Sequence, residues 1–417
     1  MIIIIKLNDT AYNGGKGQKG DNMHIHRVKN GENVYDIARE YGVSPIKIAY
    51  DNDLEIRGRL PNGREVLVIM PSRTYNVKVG DTLDGVARRF KSNKEELLRL
   101  NPELSGREKL YTGQVLTVKE SGLSYGMIST NGYLYSGTSK EALIGLMPYL
   151  SYVTVCSAIY KDGRVHNLFQ SGEAVELVKA SGRVPMLRVY ITELPDENDD
   201  KNFCGSIGIL ARSGGFAGVT LSNLGSLSRD PKRLDSFVFT ARRHLMQNDL
   251  LLFVEGDLDE NTSYTEYADA GILTYDKLHK DDVPSFDLGE RAELEKFAYS
   301  SESSRAFLEI SSFAFADGKY IEKREAMRIT DKKHGEISED CERKLQIASY
   351  GKNKRREIVY ESLENTKAKL ELVSELGFMG ISFDIGRVCM PDLMLAASMF
   401  DVISYPVMMP KVENQEI

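Results

Sequence analysis

Hydrophobic and polar residues follow a pattern that occurs twice within the first 120 residues. The apolar positions of the first copy are Val34, Ile37, Ala38 and Tyr41, and those of the second copy, 49 residues further on, are Leu83, Val86, Ala87 and Phe90. Intervals of three and four residues predict an amphipathic helix, which Asn33 or Asp81 can cap. Shorter helices are predicted at 45–50 and 94–100, and alternating apolar runs at 66–69 and 115–118 predict closing strands. Each copy should therefore fold as strand, helix, helix, strand.

The remaining 297 residues contain apolar, β-branched runs separated by helical stretches such as 232–246 and 363–376. The eight runs are 125–129, 152–159, 186–191, 217–221, 250–254, 271–275, 307–312 and 379–383. Eight parallel strands with crossover helices predict an α/β fold, the (β/α)₈ TIM barrel. The rival is a doubly wound open sheet, but the sequence lacks the G-x-G-x-x-G and G-x-x-x-x-G-K-[ST] motifs of nucleotide-binding folds.

Length and composition describe a globular protein of several domains. The chain has 417 residues, of which 41% are hydrophobic and 28% charged, and this fits two to four domains. Residues 1–120 carry a net charge of +4 and the remainder −11, so a domain boundary is expected near residue 120. The overall charge of −7 disfavours a general nucleic-acid-binding protein.

The sequence predicts neither a membrane span nor a secretion signal. No apolar run approaches the ~18–20 residues of a membrane helix. The N-terminal run at 2–5 ends at Lys6 and is shorter than the ~7–15 residues of a signal-peptide core. We therefore expect synthesis and retention inside the cell.

Cysteine and histidine positions give no sign of a disulfide framework or a metal site. The four cysteines, Cys156, Cys204, Cys341 and Cys389, are far apart and form no CxxC pair, so buried free thiols are expected. The six histidines show no metal-ligand spacing. Neither a metal nor another cofactor is expected.

Both N-terminal copies resemble the LysM module. The shared features are a V-x-x-G-[DE]-[NT] opening, an [IV]-A-x-x-[YF] helix, an Asn after the second helix (Asn52 and Asn101) and an L-x-x-G-x-x-[LV] closing strand. The resemblance covers about residues 24–119 and implies binding of peptidoglycan or another glycan that contains N-acetylglucosamine. It implies a glycan groove formed by Gly31, Glu32, Asn33, Leu60 and Pro61 in the first module, and by Gly80, Asp81, Thr82, Tyr111 and Thr112 in the second. The alternative is that these residues serve only as turn and capping residues.

The order of features in the rest of the chain resembles family 18 glycoside hydrolases, in particular the LysM-bearing kind that acts on spore cortex peptidoglycan. The matching segments include 152–163, 215–219, 273–276, 320–329 and 376–382. The predicted domains are an unassigned segment at 1–23, LysM-like modules at 24–71 and 73–119, and a barrel at 122–410.

The resemblance places the family's catalytic motif, D-x-x-D-x-D-x-E, on Ala217, Thr220, Ser222 and Leu224, so all four acids are replaced. Alternate residues of a strand face the same way, so the last three positions should line the barrel mouth. No Asp or Glu occurs between Lys201 and Arg229. Loss of a general acid costs ~10²–10⁴ in rate. The chain also has no Trp, which the family usually places at the end of strand eight, where Phe383 is the nearest substitute.

Four residues remain as candidates for residual chemistry at the barrel mouth: Glu255, Tyr275, Asp276 and Asp384. Tyr275 and Asp276 match a Tyr-Asp pair of the family. Carboxylates at the carboxyl ends of barrel strands are often functional, and Glu255 and Asp384 have that position. The alternative for each is a solvated loop acid or a salt-bridge partner.

Three functions stay open at this point. The favoured one is a glycan-binding protein whose barrel is inactive. The second is an active N-acetylglucosaminidase-type hydrolase that uses other carboxylates. The third is a scaffold of a spore layer whose barrel binds another protein.

Overall fold

The computed structural model describes two small modules followed by a barrel. The described residues are 23–104, 108–120, 125–224, 226–227, 230–257, 266–274, 294–298, 303–333, 335–341, 344–351 and 355–403. The segment 1–22 and the candidates Tyr275 and Asp276 lie outside them.

Each N-terminal module has the predicted order of strand, helix, helix, strand. The first consists of β1 (Met23–Arg27), α1 (Val34–Tyr41), α2 (Pro45–Asp51) and β2 (Glu65–Ile69). The second consists of β3 (Pro71–Asn76), α3 (Leu83–Arg89), α4 (Lys94–Leu100) and β4 (Val115–Glu120). In both modules the two strands pair antiparallel, and each module buries its own apolar cluster.

A buried asparagine joins the second helix to the closing strand in both modules. Asn52 donates to the carbonyls of Ile48 and Leu67, both at 2.8 Å, and accepts from the Leu67 N–H at 2.7 Å. Asn101 donates to Leu97 at 2.7 Å and to Thr117 at 2.8 Å, and accepts from the Thr117 N–H at 2.7 Å. The amide side chain satisfies three backbone groups that burial would otherwise leave unpaired, which explains why Asn recurs at this position.

The third part is a closed barrel of eight parallel strands, as predicted. Its strands are β5 (Met127–Leu134), β6 (Tyr152–Lys161), β8 (Val184–Ile191), β9 (Gly218–Ser222), β10 (Leu251–Asp257), β11 (Ala270–Thr274), β12 (Ala306–Glu309) and β18 (Gly380–Asp384), with β7 (Arg164–Asn167) forming a hairpin on β6. Pairing of β5 with both β18 and β6 closes the barrel. The helices are α5 (Lys140–Leu146), α6 (Gly172–Ala180), α7 (Asp200–Ser213), α8 (Pro231–Met246), α10 (Leu363–Glu375) and α11 (Met390–Met399), and β19 (Asp401–Val402) pairs with β5.

Alternation along the barrel strands separates two apolar clusters. The interior cluster is formed by Tyr133, Tyr152, Cys156, Met186, Phe253, Ala270, Ile272 and Phe307. Neighbouring residues such as Val153, Leu187 and Leu221 belong instead to the large cluster between the barrel and its helices. This parity identifies which residues can reach the barrel mouth.

An insertion between β12 and β18 forms a five-stranded sheet. It consists of β13 (Phe313–Ala316), β14 (Lys319–Glu322), α9 (Lys323–Lys333), β15 (Glu336–Asp340), β16 (Leu345–Tyr350) and β17 (Arg356–Glu361). The first module is fastened to this sheet. Ile337 donates its N–H to the Asn62 carbonyl at 3.1 Å, and the Gln346 amide donates to the Gly63 carbonyl at 3.3 Å. The Leu363 N–H also donates to the Glu65 carboxylate at 2.6 Å.

Charged groups are buried where the two modules meet the barrel. Lys47 contacts Asp51 and lies 2.7 Å from Glu120, which also accepts from Arg99 at 3.1 Å. The Arg99 guanidinium lies over the Tyr149 ring of the barrel domain at 5.4 Å. Each charge in the cluster has an opposite partner, as burial requires.

The cysteine prediction is correct for three residues and wrong for one. All four cysteines are free, and Cys156, Cys204 and Cys389 are buried, but Cys341 is exposed. Cys341 follows β15 of the insertion, a strand that was not among the elements predicted from the sequence. No helix in the described part of the chain is long and apolar enough to span a membrane.

Candidate functional site

The predicted groove residues of the first module are largely engaged inside the module. The Glu32 carboxylate accepts from the Lys29 N–H at 2.7 Å and lies 3.0 Å from His26 Nε2. Burial tends to raise the pKa of Glu32, but the Lys29 N–H and His26 stabilise the carboxylate and lower its pKa overall. Asn33 caps α1 and forms a capping box with Asp36, so its side chain acts as a capping residue.

The loop that should form the other side of this groove is covered. The Leu60 N–H donates to the Glu32 carbonyl at 3.2 Å, and both Leu60 and Pro61 are buried. The following residues, Asn62 and Gly63, hydrogen-bond the insertion sheet. The two apolar residues of the predicted groove in the first module are therefore buried, although Tyr35, at the start of α1, is 46% exposed.

The turn of the second module is exposed, as is that of the first, where Gly31 is exposed with φ of 89°. The backbone is left-handed at Gly80, with φ of 85°, and both Gly80 and Thr82 are exposed. Thr82 caps α3 by accepting from the Gly85 N–H at 3.1 Å. Asp81 is not the cap, contrary to one of the two assignments from sequence. Its carboxylate accepts instead from the Lys78 N–H at 2.8 Å and the Tyr75 hydroxyl at 2.6 Å.

The loop beside this turn presents an aromatic side chain to solvent. Tyr111 is 62% exposed and Val79 is 87% exposed, and Thr112 is exposed as well. The Gly113 N–H donates to the Val77 carbonyl at 2.8 Å, which fixes the loop next to the end of β3 and the turn. Val79 was not among the predicted groove residues, although its place beside Gly80 could have indicated it.

Two of the positions that carry acids in the family motif point into the barrel as predicted. Thr220 is fully buried, and its hydroxyl lies 3.5 Å from that of Thr154. Thr154 donates to Asn131 at 2.7 Å, and Asn131 donates to Ser382 at 3.0 Å. These hydroxyls and amides form a polar layer that crosses the barrel from β9 to β18. Ser222 is also fully buried and donates to the Val189 carbonyl at 3.4 Å.

Leu224 does not line the barrel mouth, contrary to the prediction. Strand β9 ends at Ser222, and Asn223 has a left-handed backbone with φ of 69°. This conformation breaks the alternation of the strand, so residue 224 does not continue the inward series. Leu224 is fully buried in the cluster beneath the helices, together with Leu221 and Leu234. Ala217 precedes β9 and is half-buried.

Glu255 is held in a salt bridge. Arg188 on β8 donates to both carboxylate oxygens of Glu255 on β10, at 2.8 and 2.9 Å. This bidentate pair stabilises the ionised carboxylate, and Glu255 is 7% exposed. Burial tends to lower the pKa of Arg188, but the charge and hydrogen bonds of Glu255 stabilise the guanidinium and hold its pKa well above the usual value.

Asp384 lies at the end of β18 and is nearly buried. Its carboxylate accepts from the Gly386 N–H at 2.8 Å and lies 3.2 Å from Arg387. Burial raises the pKa of Asp384 despite these contacts. Phe383 cannot provide the stacking floor considered from sequence, because it is buried in the cluster that faces the helices.

An arginine surrounded by tyrosines was missed by sequence reasoning. Arg188 lies over the rings of Tyr133, Tyr135 and Tyr190 at 5.6 to 5.8 Å. Burial raises the pKa of Tyr133 and Tyr135, and it raises that of Cys156 to about 12, so these groups are neutral at physiological pH. The sequence did offer a signal for this cluster, because Met186, Arg188 and Tyr190 are alternate residues of one strand and therefore share a face.

Comparison with protein families identifies the two modules. The model of the LysM domain matches residues 26–66 and 75–119. A Bacillus subtilis protein, YdhD, provisionally named a sporulation-specific glycosylase, is 25% identical over 213 residues, which are 48% of this chain and 50% of that protein. The chain spans half or less of the length of the curated relatives that it matches.

Solved structures agree on the fold. The Bacillus cereus spore cortex-lytic enzyme SleL superposes with a TM-score of 0.71 at 20% identity, covering 92% of this chain and 99% of that one. A chitinase from Chromobacterium violaceum superposes with a TM-score of 0.56 at 14% identity, covering 65% of this chain and 98% of the other. The chain thus carries two LysM domains in front of a (β/α)₈ barrel with the fold of SleL and of chitinases.

Proposed function

We propose that this protein binds peptidoglycan, or a related glycan containing N-acetylglucosamine, through its LysM domains, and that its barrel does not hydrolyse the glycan by the family 18 mechanism. The observation that carries the binding proposal is the exposed apolar surface of the second domain, where Val79 and Tyr111 lie beside the turn at Gly80. The proposal assigns most of the affinity to this domain.

The chemistry of this surface suits an acetylated sugar. Exposed backbone N–H groups at the start of a helix can donate to an acetamido oxygen, while Tyr111 and Val79 can cover the apolar face of a sugar ring. An aromatic side chain that becomes buried on binding contributes about 1.5–3 kcal/mol. A polymer that engages both domains would add avidity through effective concentration.

The barrel lacks acids where the family mechanism needs them. Thr220 and Ser222 occupy the inward positions of β9 with hydroxyl groups, which cannot donate a proton as a carboxylic acid does or stabilise a positive charge on the substrate. Leu224 lies under the helices. Substitution of Leu224→Glu would therefore place a carboxylate in the apolar layer, where an unpaired charge destabilises the fold, and would not restore a general acid.

The proposal is tested with the full chain and insoluble spore cortex peptidoglycan. We expect the protein to sediment with the polymer, to be released by soluble chitooligosaccharides, and to yield no new reducing-end fragments by mass spectrometry. Absence from the pellet would contradict the binding proposal. Release of fragments would contradict the non-catalytic one.

Asp384 favours a second candidate function, glycan hydrolysis by carboxylates outside the family motif. Burial raises the pKa of this carboxyl group at the barrel mouth, and a raised pKa is what a general acid needs. If fragments appear and Asp384→Asn abolishes them while the exposed-site variant Glu108→Gln does not, this second function replaces the first. The Glu255→Gln variant distinguishes poorly, because it also removes the partner of Arg188.

We also propose that the protein is associated with spores. The support is the likeness to SleL, a spore cortex-lytic enzyme, and to YdhD. Antibody detection in fractionated spores and vegetative cells tests the location. Retention by spore-layer proteins after complete removal of peptidoglycan would favour the scaffold function instead.

A further inference from the structure

Three potential metal ligands of the first LysM domain converge from three different elements. His26 comes from β1, Glu32 from the turn before α1, and Glu40 from the last turn of α1. Each offers one ligand atom, and these atoms all lie within 4.8 Å of one another. His26 Nε2 and Glu32 Oε2 are 3.0 Å apart, close to the separation of about 3.3 Å between two ligands of a tetrahedral zinc ion.

Two of these ligands are already oriented by further hydrogen bonds. His26 Nδ1 lies 3.1 Å from the Tyr41 hydroxyl, which fixes the ring so that Nε2 faces the two carboxylates. The Lys29 N–H donates to Glu32 Oε2 at 2.7 Å. Partners of this kind orient ligands and strengthen metal sites. Glu40 is exposed on the surface of the helix and is free to adjust.

The second domain carries a positive charge at the position equivalent to Glu40. The residues that correspond to His26, Glu32 and Glu40 are Tyr75, Asp81 and Arg89. There the Arg89 guanidinium donates to the Tyr75 hydroxyl at 2.6 Å, and Tyr75 donates to Asp81 at 2.6 Å. An arginine in the second domain thus supplies the positive charge at the position where the first domain has a second carboxylate.

The formal charges of the two clusters differ by the charge of a divalent ion. With neutral histidine, Glu32, Glu40 and Lys29 sum to −1, whereas Asp81, Arg89 and Lys78 sum to +1. Lys29 lies 3.8 Å from Glu32 and 3.9 Å from Glu40 and competes for the carboxylates. Its side chain is 69% exposed, and such surface ion pairs contribute little to stability, so an ion can displace it.

We propose that His26, Glu32 and Glu40 bind a divalent transition metal of the zinc class, with water completing the coordination. An imidazole nitrogen and two carboxylate oxygens suit such an ion. The ion joins β1, the turn and α1, and it takes the place that the Arg89 guanidinium occupies in the second domain. The proposal is independent of glycan binding and of any activity of the barrel.

The test uses the full chain, with ZnCl₂ in isothermal titration calorimetry and CoCl₂ in visible absorption spectroscopy. We expect one site with d–d bands of low-coordinate cobalt, and at least tenfold weaker binding in His26→Gln and Glu40→Gln. Glu40→Arg reproduces the second domain and should abolish binding while circular dichroism and the unfolding temperature without metal stay unchanged. The control His166→Gln, in an exposed hairpin, should bind as the unmodified protein does.

Two results would overturn the proposal. One is the absence of Zn²⁺ binding to the unmodified protein at concentrations on the order of 100 micromolar. The other is equal binding by the unmodified protein and Glu40→Arg. Because Glu40 is exposed, its variants remain folded even if His26→Gln, at a buried position, does not.

Discussion

In the first LysM domain the loop before the closing strand is fastened to the insertion sheet, whereas in the second domain the corresponding loop is open. Asn62 and Gly63 hydrogen-bond Ile337 and Gln346, and Pro61 is buried. Tyr111, which corresponds to Pro61, is 62% exposed. The two domains have equivalent apolar cores and an equivalent buried asparagine. The difference between them is therefore confined to their surfaces.

This difference shows how a repeated module can acquire two roles. The first domain is docked on the barrel domain, because Glu65 and Arg64 contact residues of that domain. The second domain keeps an exposed apolar surface that such contacts would cover. Gly63 and Gly113 occupy equivalent positions in the two domains, as do Asn33 and Thr82, so a substitution in one domain has its control in the other.

The largest expected effect is a pH dependence that belongs to the first domain. Burial raises the pKa of Glu65 to about 7 from its ordinary 4.5. The folded state therefore holds this proton more tightly, and the resulting stability is complete below about pH 4.5 and lost as the pH rises through about 7. A shift of this size corresponds to about 3 kcal/mol.

Glu65→Gln should remove this loss. Chemical denaturation at pH 4 and pH 8 should show a smaller decrease in the free energy of unfolding for Glu65→Gln than for the unmodified protein. The exposed Glu108→Gln, in the second domain, should leave the decrease unchanged. An equal decrease in all three proteins would mean that Glu65 is not buried by docking of the first domain.

The second prediction compares two glycines at the same position of the module. Gly63 and Gly113 have nearly the same backbone, with φ of 82° and 84°, so alanine should cost a similar left-handed strain of about 1–2 kcal/mol at either site. A Cβ at Gly63 would also overlap the carbonyl oxygen of Ile337, whereas nothing lies within 4 Å of one at Gly113.

Gly63→Ala should therefore be more destabilising than Gly113→Ala by about 1–3 kcal/mol, the usual cost of overpacking. Equilibrium unfolding of the two variants measures the difference. Equal destabilisation would show that the first domain is not docked on the insertion in solution.

The smallest effect concerns the helix caps. Asn33→Ala and Thr82→Ala each remove a side-chain acceptor at a helix start, which costs about 0.5–2 kcal/mol. Asn33→Ala should lower the free energy of unfolding more than Thr82→Ala, because Asn33 also belongs to a capping box with Asp36. Urea unfolding checks this order, and a larger loss for Asp81→Ala than for Thr82→Ala would contradict the assignment of Thr82 as the cap.

Much of the fold could be predicted from sequence, because it depends on local periodicity. All eight barrel strands overlap their predicted runs, and helices such as Pro231–Met246 and Leu363–Glu375 nearly coincide with theirs. Docking of the first domain could not be predicted, since it depends on contacts between residues about 280 positions apart, such as Gly63 and Gln346.

The site was less predictable, because side chains alternate between the inside and the outside of the barrel only as far as the strand extends. Thr220 and Ser222 follow the alternation of β9, but the left-handed backbone of Asn223 turns Leu224 towards the helices. The absence of histidine spacing in the sequence likewise concealed the cluster of His26, Glu32 and Glu40. Its members come from a strand, a turn and a helix, which only the fold brings together.

The most direct test of the central claim, that the second LysM domain provides most of the glycan affinity, is the affinity of full-length Tyr111→Ala and Pro61→Ala for insoluble peptidoglycan. Both variants truncate the corresponding residue of one domain. We predict that Tyr111→Ala weakens binding about tenfold, equivalent to about 1.4 kcal/mol, while Pro61→Ala binds as the unmodified protein does. Weakened binding by Pro61→Ala together with unchanged binding by Tyr111→Ala would contradict the account.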